Sequence, residues 1–306
     1  MKILVTGGAG FIGSHLVDEL VEKGHEVAVI DNLSTGKKDN LNPNAEFHEL
    51  DINSDGIVDI LKNGNFTHVI HQAAQVRVTR SLEDPVLDAT SNIVGSINLL
   101  ENCRRYGVER FVYGNSGGAM SGNQDNLPMK ESHPVSPESP YGVSKHTVEH
   151  YLAIYNKLYN LDYVSLRYPN VYGPRQDSSG EGGVVAIFCN KLVNDERPVI
   201  FGDGEQTRDF TYVKDVVNAT VMALEKGSGE FNISTSRETS VNELYEKLLE
   251  ISGKNMEPVH GNEREGELRR SVLDNSKAME GLGWEPIVSL DEGLKLTFDY
   301  FNRRKE

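Results

Sequence analysis

A tyrosine and a lysine stand four residues apart in the segment SPYGVSK, residues 139–145. Pro140 marks the start of a helix, where proline is tolerated, and an i, i+4 pair lies on one helical face. We therefore expect the positive charge of Lys145 to lower the pKa of the Tyr141 phenol below its ordinary value of about 10. A tyrosinate of this kind can remove a proton from a hydroxyl while a hydride leaves the same carbon. This is the only Tyr-x-x-x-Lys in the chain, and it predicts acid–base catalysis coupled to hydride transfer.

A serine follows a predicted buried strand in the stretch VYGNSGGAMSG, residues 112–122. The strand precedes the predicted Tyr141 helix, so Ser116 can point at the same reacting hydroxyl as the phenol. Its own hydroxyl can donate one hydrogen bond and accept another, which would orient the reacting group. We predict Ser116 as the third catalytic residue, and the sequence assigns no role to Asn115.

The glycines of GGAGFIG, residues 7–13, lie between the first predicted strand and the first predicted helix. Gly7, Gly10 and Gly13 suit a tight turn, close approach of a pyrophosphate and close helix–strand packing. Backbone N–H groups at such a helix start favour phosphate. Asp31 ends the second strand, where a carboxylate can accept both adenosine-ribose hydroxyls and repel a 2′-phosphate. The pattern predicts bound NAD rather than NADP, with Asp51 and Ile52 beside the adenine.

The elements that would position these residues alternate between strands and helices. Apolar, β-branched runs predict strands at 2–6, 27–31, 67–74, 110–113 and 163–168, and periodicity predicts helices near 11–23, 85–106 and 141–159. Such alternation implies right-handed crossovers and an α/β doubly wound parallel sheet. We predict a dinucleotide-binding domain over 1–168, with a segment near 208–235 returning to it, and a smaller interleaved C-terminal α/β substrate domain over 169–306. A capping box from Ser289 to Glu292 predicts a terminal helix.

Composition limits the classes of partner. The net charge of −15 argues against a nucleic-acid-binding protein, which needs a basic face. Cys103 and Cys189 lack metal-ligand spacing and are expected to be reduced, buried thiols. No apolar run reaches the ~18 residues of a membrane span. We expect a cytoplasmic protein without a metal site and without a membrane partner.

The motifs TGGAGFIGSH, HQAA, YGVSK, RYPNVYGPRQ, FGDG, RDF and REGE occur here in one order. In this the chain resembles the extended short-chain dehydrogenase/reductases, and among them the bacterial and archaeal UDP-glucose (UDP-galactose) 4-epimerases, nearly end to end. The resemblance implies a Rossmann domain, NAD and a UDP-sugar bound in the interdomain cleft. The residues then expected at the cofactor are Gly7, Gly10, Phe11, Ile12, Gly13, Asp31, Asn32, Ser34, Gly36, Asp51, Ile52, Ala73, Ala74, Asn92, Tyr141, Lys145 and Tyr168. Those expected at the UDP-sugar are Ser116, Tyr141, Asn170, Val184, Val185, Arg208, Arg264 and Glu267.

The resemblance also implies a reaction. Tyr141 would remove the C4 hydroxyl proton as hydride passes to NAD, and the 4-keto sugar would turn over and take the hydride back on its other face. A homodimer formed through the helices near 85–106 and 141–159 is implied in the same way.

Several alternatives stay open. Gly117 and Gly118 stand where the related dehydratases carry an Asp-Glu pair, which disfavours dehydration, and the loop offers no helper for decarboxylation. A 4-epimerase of UDP-N-acetylglucosamine or UDP-glucuronate remains, since Arg80 could reach a uronate, whereas Arg77 is expected to face solvent. Ser121, Ser234 and Ser236 replace family residues and keep open a non-catalytic NAD or nucleotide-sugar binder.

Overall fold

The computed structural model describes residues 1–122, 124–179, 183–263 and 268–304. Its strands are β1 (Lys2–Thr6), β2 (Glu26–Asp31), β3 (Glu46–Glu49), β4 (His68–His71), β5 (Arg110–Ser116), β6 (Asp162–Tyr168), β7 (Asn170–Tyr172), β8 (Val199–Phe201), β9 (Thr207–Arg208), β10 (Phe210–Tyr212), β11 (Gly229–Asn232), β12 (Thr239–Ser240), β13 (Val259–Gly261) and β14 (Arg270–Ser271). Its α-helices are α1 (Phe11–Glu22), α2 (Gly56–Gly64), α3 (Val78–Glu83), α4 (Pro85–Ala89), α5 (Gly95–Arg105), α6 (Gly117–Ser121), α7 (Pro140–Tyr159), α8 (Val184–Val193), α9 (Val213–Met222), α10 (Val241–Ser252), α11 (Ser276–Gly281) and α12 (Leu290–Arg303).

Over these ranges the main sheet has seven strands in the order β11-β6-β5-β4-β1-β2-β3, all paired in parallel. The order reverses between β1 and β4, and a crevice opens at the carboxyl ends of the strands at such a switch point. The predicted α/β doubly wound parallel sheet is confirmed.

The central strands are buried on both faces, which is why they read as continuous apolar runs. Ile3 and Val5 of β1 belong to one hydrophobic cluster with α1, whereas Leu4 faces the opposite cluster with α5 and α7. Successive side chains of a strand point to opposite faces, so a single strand joins both halves of the core.

Three predicted elements differ clearly from those observed. The strand predicted over 67–74 is shorter and covers His68–His71. The strand predicted over 110–113 continues to Ser116, because β5 stays paired with β6 as far as Ser116 opposite Tyr168. The helix predicted over 85–106 is interrupted by a π-helical turn, Thr90–Val94, between α4 and α5. The terminal helix is present as α12, and the Ser289 hydroxyl accepts the Glu292 N–H at 3.3 Å.

The second half of the chain contributes smaller sheets and a helical layer. β7 pairs with β10, β9 with β12 and β14, and β8 with β13. Helices α8, α10 and α12 pack against one another, and β11 lies at one edge of the main sheet beside β6. Trp284 is buried and donates to the Asp215 carbonyl at 3.0 Å, which ties the segment before α12 to α9. Within the part of the chain described, no helix is long and apolar enough to cross a membrane.

Candidate active site

A cavity of about 840 Å³ opens at the carboxyl ends of the main-sheet strands. It receives side chains from the glycine loop, from the ends of β2, β4, β5 and β6, and from the start of α8. Its volume lies within the range of about 300–1,000 Å³ usual for ligand sites. The sequence-predicted residues that line it are Gly7, Gly10, Phe11, Ile12, Gly13, Asp31, Asn32, Ser34, Asp51, Ile52, Ala73, Ala74, Ser116, Tyr141, Lys145, Tyr168, Asn170, Val184 and Val185.

Two positions of the glycine loop exclude a side chain. Gly7 has φ +73°, a left-handed conformation that L residues rarely adopt, and a Cβ there would lie 2.6 Å from the Ala73 nitrogen. A Cβ on Gly13 would lie 2.1 Å from the Gly7 carbonyl oxygen. The first turn of α1 therefore sits directly against the end of β1. A backbone cradle of this kind, open to the cavity, fits the pyrophosphate of a dinucleotide.

The carboxylate of Asp31 is held rigidly at the end of β2. It accepts the Ala9 N–H at 3.0 Å and the Leu33 N–H at 2.8 Å. Gly36 is next to it, since a Cβ at Gly36 would lie 2.8 Å from an Asp31 carboxylate oxygen. The remaining acceptor capacity of Asp31 faces the cavity and fits a ribose diol.

Asp51 forms the neighbouring wall of the cavity. Its carboxylate accepts the Asn32 amide at 2.7 Å and the Asn53 N–H at 2.8 Å. Burial raises the pKa of Asp51, but these hydrogen bonds outweigh burial, and the net pKa lies below its ordinary value. Asp51 is therefore ionised at neutral pH and holds Asn32 at the edge of the cavity.

Ser116, Tyr141 and Lys145 meet at the end of β5 and the first turns of α7. The Ser139 hydroxyl caps α7 by accepting the Gly142 N–H, and Pro140 begins the helix. Ser116 and Tyr141 both line the cavity, and the nearby Ser116 side chain lowers the pKa of the Tyr141 phenol. The Lys145 ammonium donates to the Gly114 carbonyl at 2.8 Å and lies 4.4 Å from the Tyr113 ring centroid. The structure thus brings the three predicted catalytic residues together.

The predicted lowering of the Tyr141 pKa is wrong for the protein by itself. Burial raises the pKa of Tyr141 to about 12, although the nearby Ser116 side chain lowers it in part. Burial also lowers the pKa of Lys145 to about 7, against the opposing charges of Asp88 and Glu149. The i, i+4 spacing places Lys145 on the same helical face as Tyr141. Desolvation, which the spacing does not reveal, dominates the pKa values of both groups.

Three predicted residues do not line the cavity. Gly36 stands behind Asp31, and Arg208 lies on β9 in the second half of the chain. Asn92 is buried in the π-helical turn, where its amide accepts the Gln75 N–H at 2.8 Å and donates to the Gln75 carbonyl at 2.9 Å. Asn92 therefore fixes the backbone after β4. Arg264 and Glu267 fall outside the described residues.

Sequence reasoning missed other lining residues. Gln72 donates to the Tyr168 hydroxyl at 3.1 Å and packs against Gly114. Arg77 was expected to face solvent. It is half-exposed and lines the cavity, where its guanidinium lies 3.6 Å from the Asp177 carboxylate across the opening. Gln72 belongs to the HQAA motif. No local sequence pattern, however, predicts the ion pair between Arg77 and Asp177, because the two residues are far apart in the chain.

The serines that replace family residues are satisfied locally. Ser121 donates to the Gly117 carbonyl at 3.0 Å inside the short helix α6. Ser234 and Ser236 each donate to the Leu273 carbonyl at 2.9 Å, and Ser236 has φ +56°. None of these contacts disturbs Ser116, Tyr141 or Lys145.

Across the described ranges, no group of His, Cys, Asp and Glu side chains has the geometry of a metal site. Cys103 and Cys189 are free and buried.

Comparison with known proteins agrees with this geometry. A UDP-glucose 4-epimerase of Mycolicibacterium smegmatis is 44% identical over 313 residues, covering 100% of both chains. The crystal structure of the UDP-glucose 4-epimerase of Thermotoga maritima with UDP-glucose is 50% identical, covers 100% of both chains and superimposes with a TM-score of 0.98. The UDP-glucose 4-epimerase of Thermus thermophilus, in complex with NAD, is 44% identical, with 98% of this chain and 99% of that chain covered and a TM-score of 0.94. The NAD dependent epimerase/dehydratase family matches residues 3–234, and the chain belongs to that family.

Proposed function

We propose that this protein interconverts UDP-glucose and UDP-galactose by NAD-dependent epimerisation at C4. The observation that carries the proposal is the meeting of Tyr141, Ser116 and Lys145 in the cavity that the glycine loop also lines. The similarity to the two epimerase structures supports the same reaction and the same class of substrate.

Each residue then has a defined task. Tyr141 takes the proton of the C4 hydroxyl and later returns it, and Ser116 orients that hydroxyl through a hydrogen bond. The glycine loop and Asp31 would hold NAD, which would supply the hydride acceptor for C4 and a positive charge in the site. Lys145 adds its own charge beside the same site. A positive charge close to a phenol lowers its pKa, which opposes the burial that raises the pKa of Tyr141 to about 12.

Epimerisation also needs a fixed nucleotide and a loosely held sugar. Asn170, Val184 and Val185 also line the cavity and would hold the UDP portion. The family resemblance assigns Arg208 and Arg264 to the diphosphate, which two guanidinium groups suit, and Glu267 to the uridine ribose. Arg208 lies on β9, outside the cavity lining, so its part in this proposal rests on the resemblance alone. The hexose would then be free to turn and present either face of its C4 carbon to the cofactor.

A UDP-glucuronate substrate is less well supported. The Arg77 guanidinium faces Asp177 at 3.6 Å, and Arg80 faces Glu83 and Asp84 on its own helical segment. The two arginines that the sequence left open for a uronate carboxylate therefore already face carboxylates. UDP-N-acetylglucosamine differs from UDP-glucose by a neutral group, and an activity assay distinguishes between these two substrates.

The test is a parallel assay of UDP-glucose, UDP-N-acetylglucosamine and UDP-glucuronate, each with and without added NAD. We expect 4-epimerisation of UDP-glucose to have the highest kcat/KM. Tyr141→Phe should abolish turnover while UDP still binds, whereas Tyr106→Phe, a tyrosine outside the cavity, should leave turnover unchanged. Absence of turnover with all three substrates would favour a non-catalytic binder, and full activity of Tyr141→Phe would remove the proposed base.

We further propose a homodimer in the cytoplasm. Val143, Ile154 and Leu158 form an exposed apolar stripe along α7, and Val94 is exposed on the neighbouring π-helical turn. A second copy could cover this stripe, and two unpaired thiols suit a reducing compartment. Light scattering on the native protein and on Leu158→Glu measures the mass, and a monomeric native protein would contradict the proposal.

A further inference from the structure

Asn115, to which the sequence assigns no role, joins the proposed catalytic serine to the catalytic helix. Its side chain is buried, with 3% exposed. The Oδ1 atom accepts the Ser116 N–H at 2.8 Å, while Nδ2 donates to Glu149 Oε1 at 2.8 Å and to the Ser165 hydroxyl at 3.2 Å. Both amide protons and the carbonyl oxygen are thus used, which fixes the orientation of the amide.

Glu149 carries this connection to the catalytic helix. It lies on α7, four residues after Lys145 and eight after Tyr141, so the three side chains follow one helical face. Its carboxylate is held by Arg167 of β6 through two hydrogen bonds, Nε to Oε1 at 2.9 Å and an Nη2 to Oε2 bond at 2.7 Å. Both side chains of this ion pair are more than nine-tenths buried. A bidentate pair in such surroundings has a single geometry.

The Ser116 hydroxyl is available to the site because of its place in the fold. Ser116 is the last residue of β5 and precedes α6, yet its side chain makes no capping hydrogen bond to that helix. Ser116 instead lines the cavity together with Tyr141, whose pKa it lowers. The position of the Ser116 hydroxyl depends on the backbone between residues 115 and 116. The Asn115 side chain fixes this backbone by accepting the Ser116 N–H.

We propose that Asn115 is a positioning residue that sets the Ser116 hydroxyl against the Tyr141 phenol, using the Glu149–Arg167 ion pair as its fixed anchor. The inference rests on the proposed role of Ser116 in catalysis. A misplacement of about 1 Å at a reacting group can reduce a rate about 100-fold, so a buried amide at this position has measurable leverage. The shorter side chain of a serine at 115 could not bridge Ser116 and Glu149 together.

The test is a double-mutant cycle on kcat with UDP-glucose. Asn115→Ala should lower kcat roughly 5- to 50-fold with KM changed less than about twofold. In the Ser116→Ala background the same substitution should change kcat less than about twofold, since Asn115 acts through Ser116. Asn102→Ala, which truncates another buried asparagine on α5, should leave kcat unchanged in both backgrounds.

A pH profile provides a second readout. Ser116 lowers the pKa of Tyr141. Asn115→Ala displaces the Ser116 hydroxyl, so the acid limb of kcat should move to higher pH, as it should in Ser116→Ala. Should Asn115→Ala fail to fold, Asn115→Ser replaces it, with a comparable loss of kcat and a shift of the same sign, because the serine cannot bridge Ser116 and Glu149.

The outcomes are distinguishable. Equal losses from Asn115→Ala in both backgrounds, or reduced stability with unchanged kcat, overturn the positioning role while leaving the proposed function intact. An unchanged kcat in Ser116→Ala overturns both the assignment of Ser116 and the inference built on it. A loss confined to the background that keeps Ser116, together with the pH shift, supports the inference.

Discussion

Breaking the ion pair between Glu149 and Arg167 should strongly destabilise the protein, and Glu149→Gln measures that cost. The carboxylate accepts four hydrogen bonds, from Asn115, from Ser165 and twice from Arg167. Glutamine has the same shape as glutamate, but it places an NH₂ group opposite the Arg167 guanidinium, so that two hydrogen-bond donors face each other. One charge-assisted hydrogen bond is lost, worth about 1.5–3 kcal/mol. The guanidinium also becomes an unpaired buried charge, and breaking a buried pair costs about 3–5 kcal/mol in all.

A matched control is available on α5. Glu101 accepts three hydrogen bonds from Arg104 and Arg105 and one from the Tyr155 hydroxyl, but its side chain is 28% exposed. Water screens such a pair, so Glu101→Gln should cost less than about 1 kcal/mol. The assay is urea unfolding at pH 7 of both variants and the native protein, compared at equal m-value. A cost for Glu149→Gln no larger than for Glu101→Gln would refute the reasoning.

The pH dependence has a definite sign. Burial raises the pKa of Glu149, but the hydrogen bonds and charge of Arg167 outweigh it, and the net folded-state pKa lies below the ordinary 4.5. The stabilisation is therefore complete above about pH 4.5 and is lost as pH falls through the lowered folded-state value. The difference between native protein and Glu149→Gln should be constant from pH 6 to pH 8 and shrink in acid.

Three further substitutions test the cofactor loop and the catalytic lysine. Gly13→Ala places a methyl 2.1 Å from the Gly7 carbonyl oxygen and should weaken NAD binding roughly tenfold or more, about 1.4 kcal/mol, by titration; equal affinity would contradict the packing argument. Asp31→Ser removes the carboxylate that repels a 2′-phosphate and should raise the ratio of NADP to NAD affinity; an unchanged ratio would count against that role. Lys145→Met should abolish turnover. Because burial lowers the lysine pKa to about 7, the same substitution should raise the Tm of the NAD-free protein below about pH 7, and this gain should fade as pH approaches 10.5. A Tm unchanged at all pH values would argue against this.

The contrast between Asn92 and Ser116 shows where sequence reasoning stops. Ser116 follows a predicted buried strand and precedes the Tyr141 helix. This position predicts that Ser116 lies in the cavity, because the ligand crevice of such a fold opens at the carboxyl ends of the parallel strands. Asn92 was predicted beside the cofactor, yet it is buried and holds the backbone of Gln75. Its direction depends on a π-helical turn, and periodicity does not reveal such a turn.

By itself, the sequence determined the doubly wound sheet, the glycine loop with Asp31 and the shared face of Tyr141 and Lys145. Each of these follows from a local pattern: strand–helix alternation, residues that need no Cβ, and i, i+4 spacing. Only the tertiary structure decided the pKa directions of Tyr141 and Lys145 and the use of Asn115. Those depend on burial and on the register that sets Asn115 opposite Arg167 in the β5–β6 pair. Desolvation and contacts between distant segments exist only once the chain has folded.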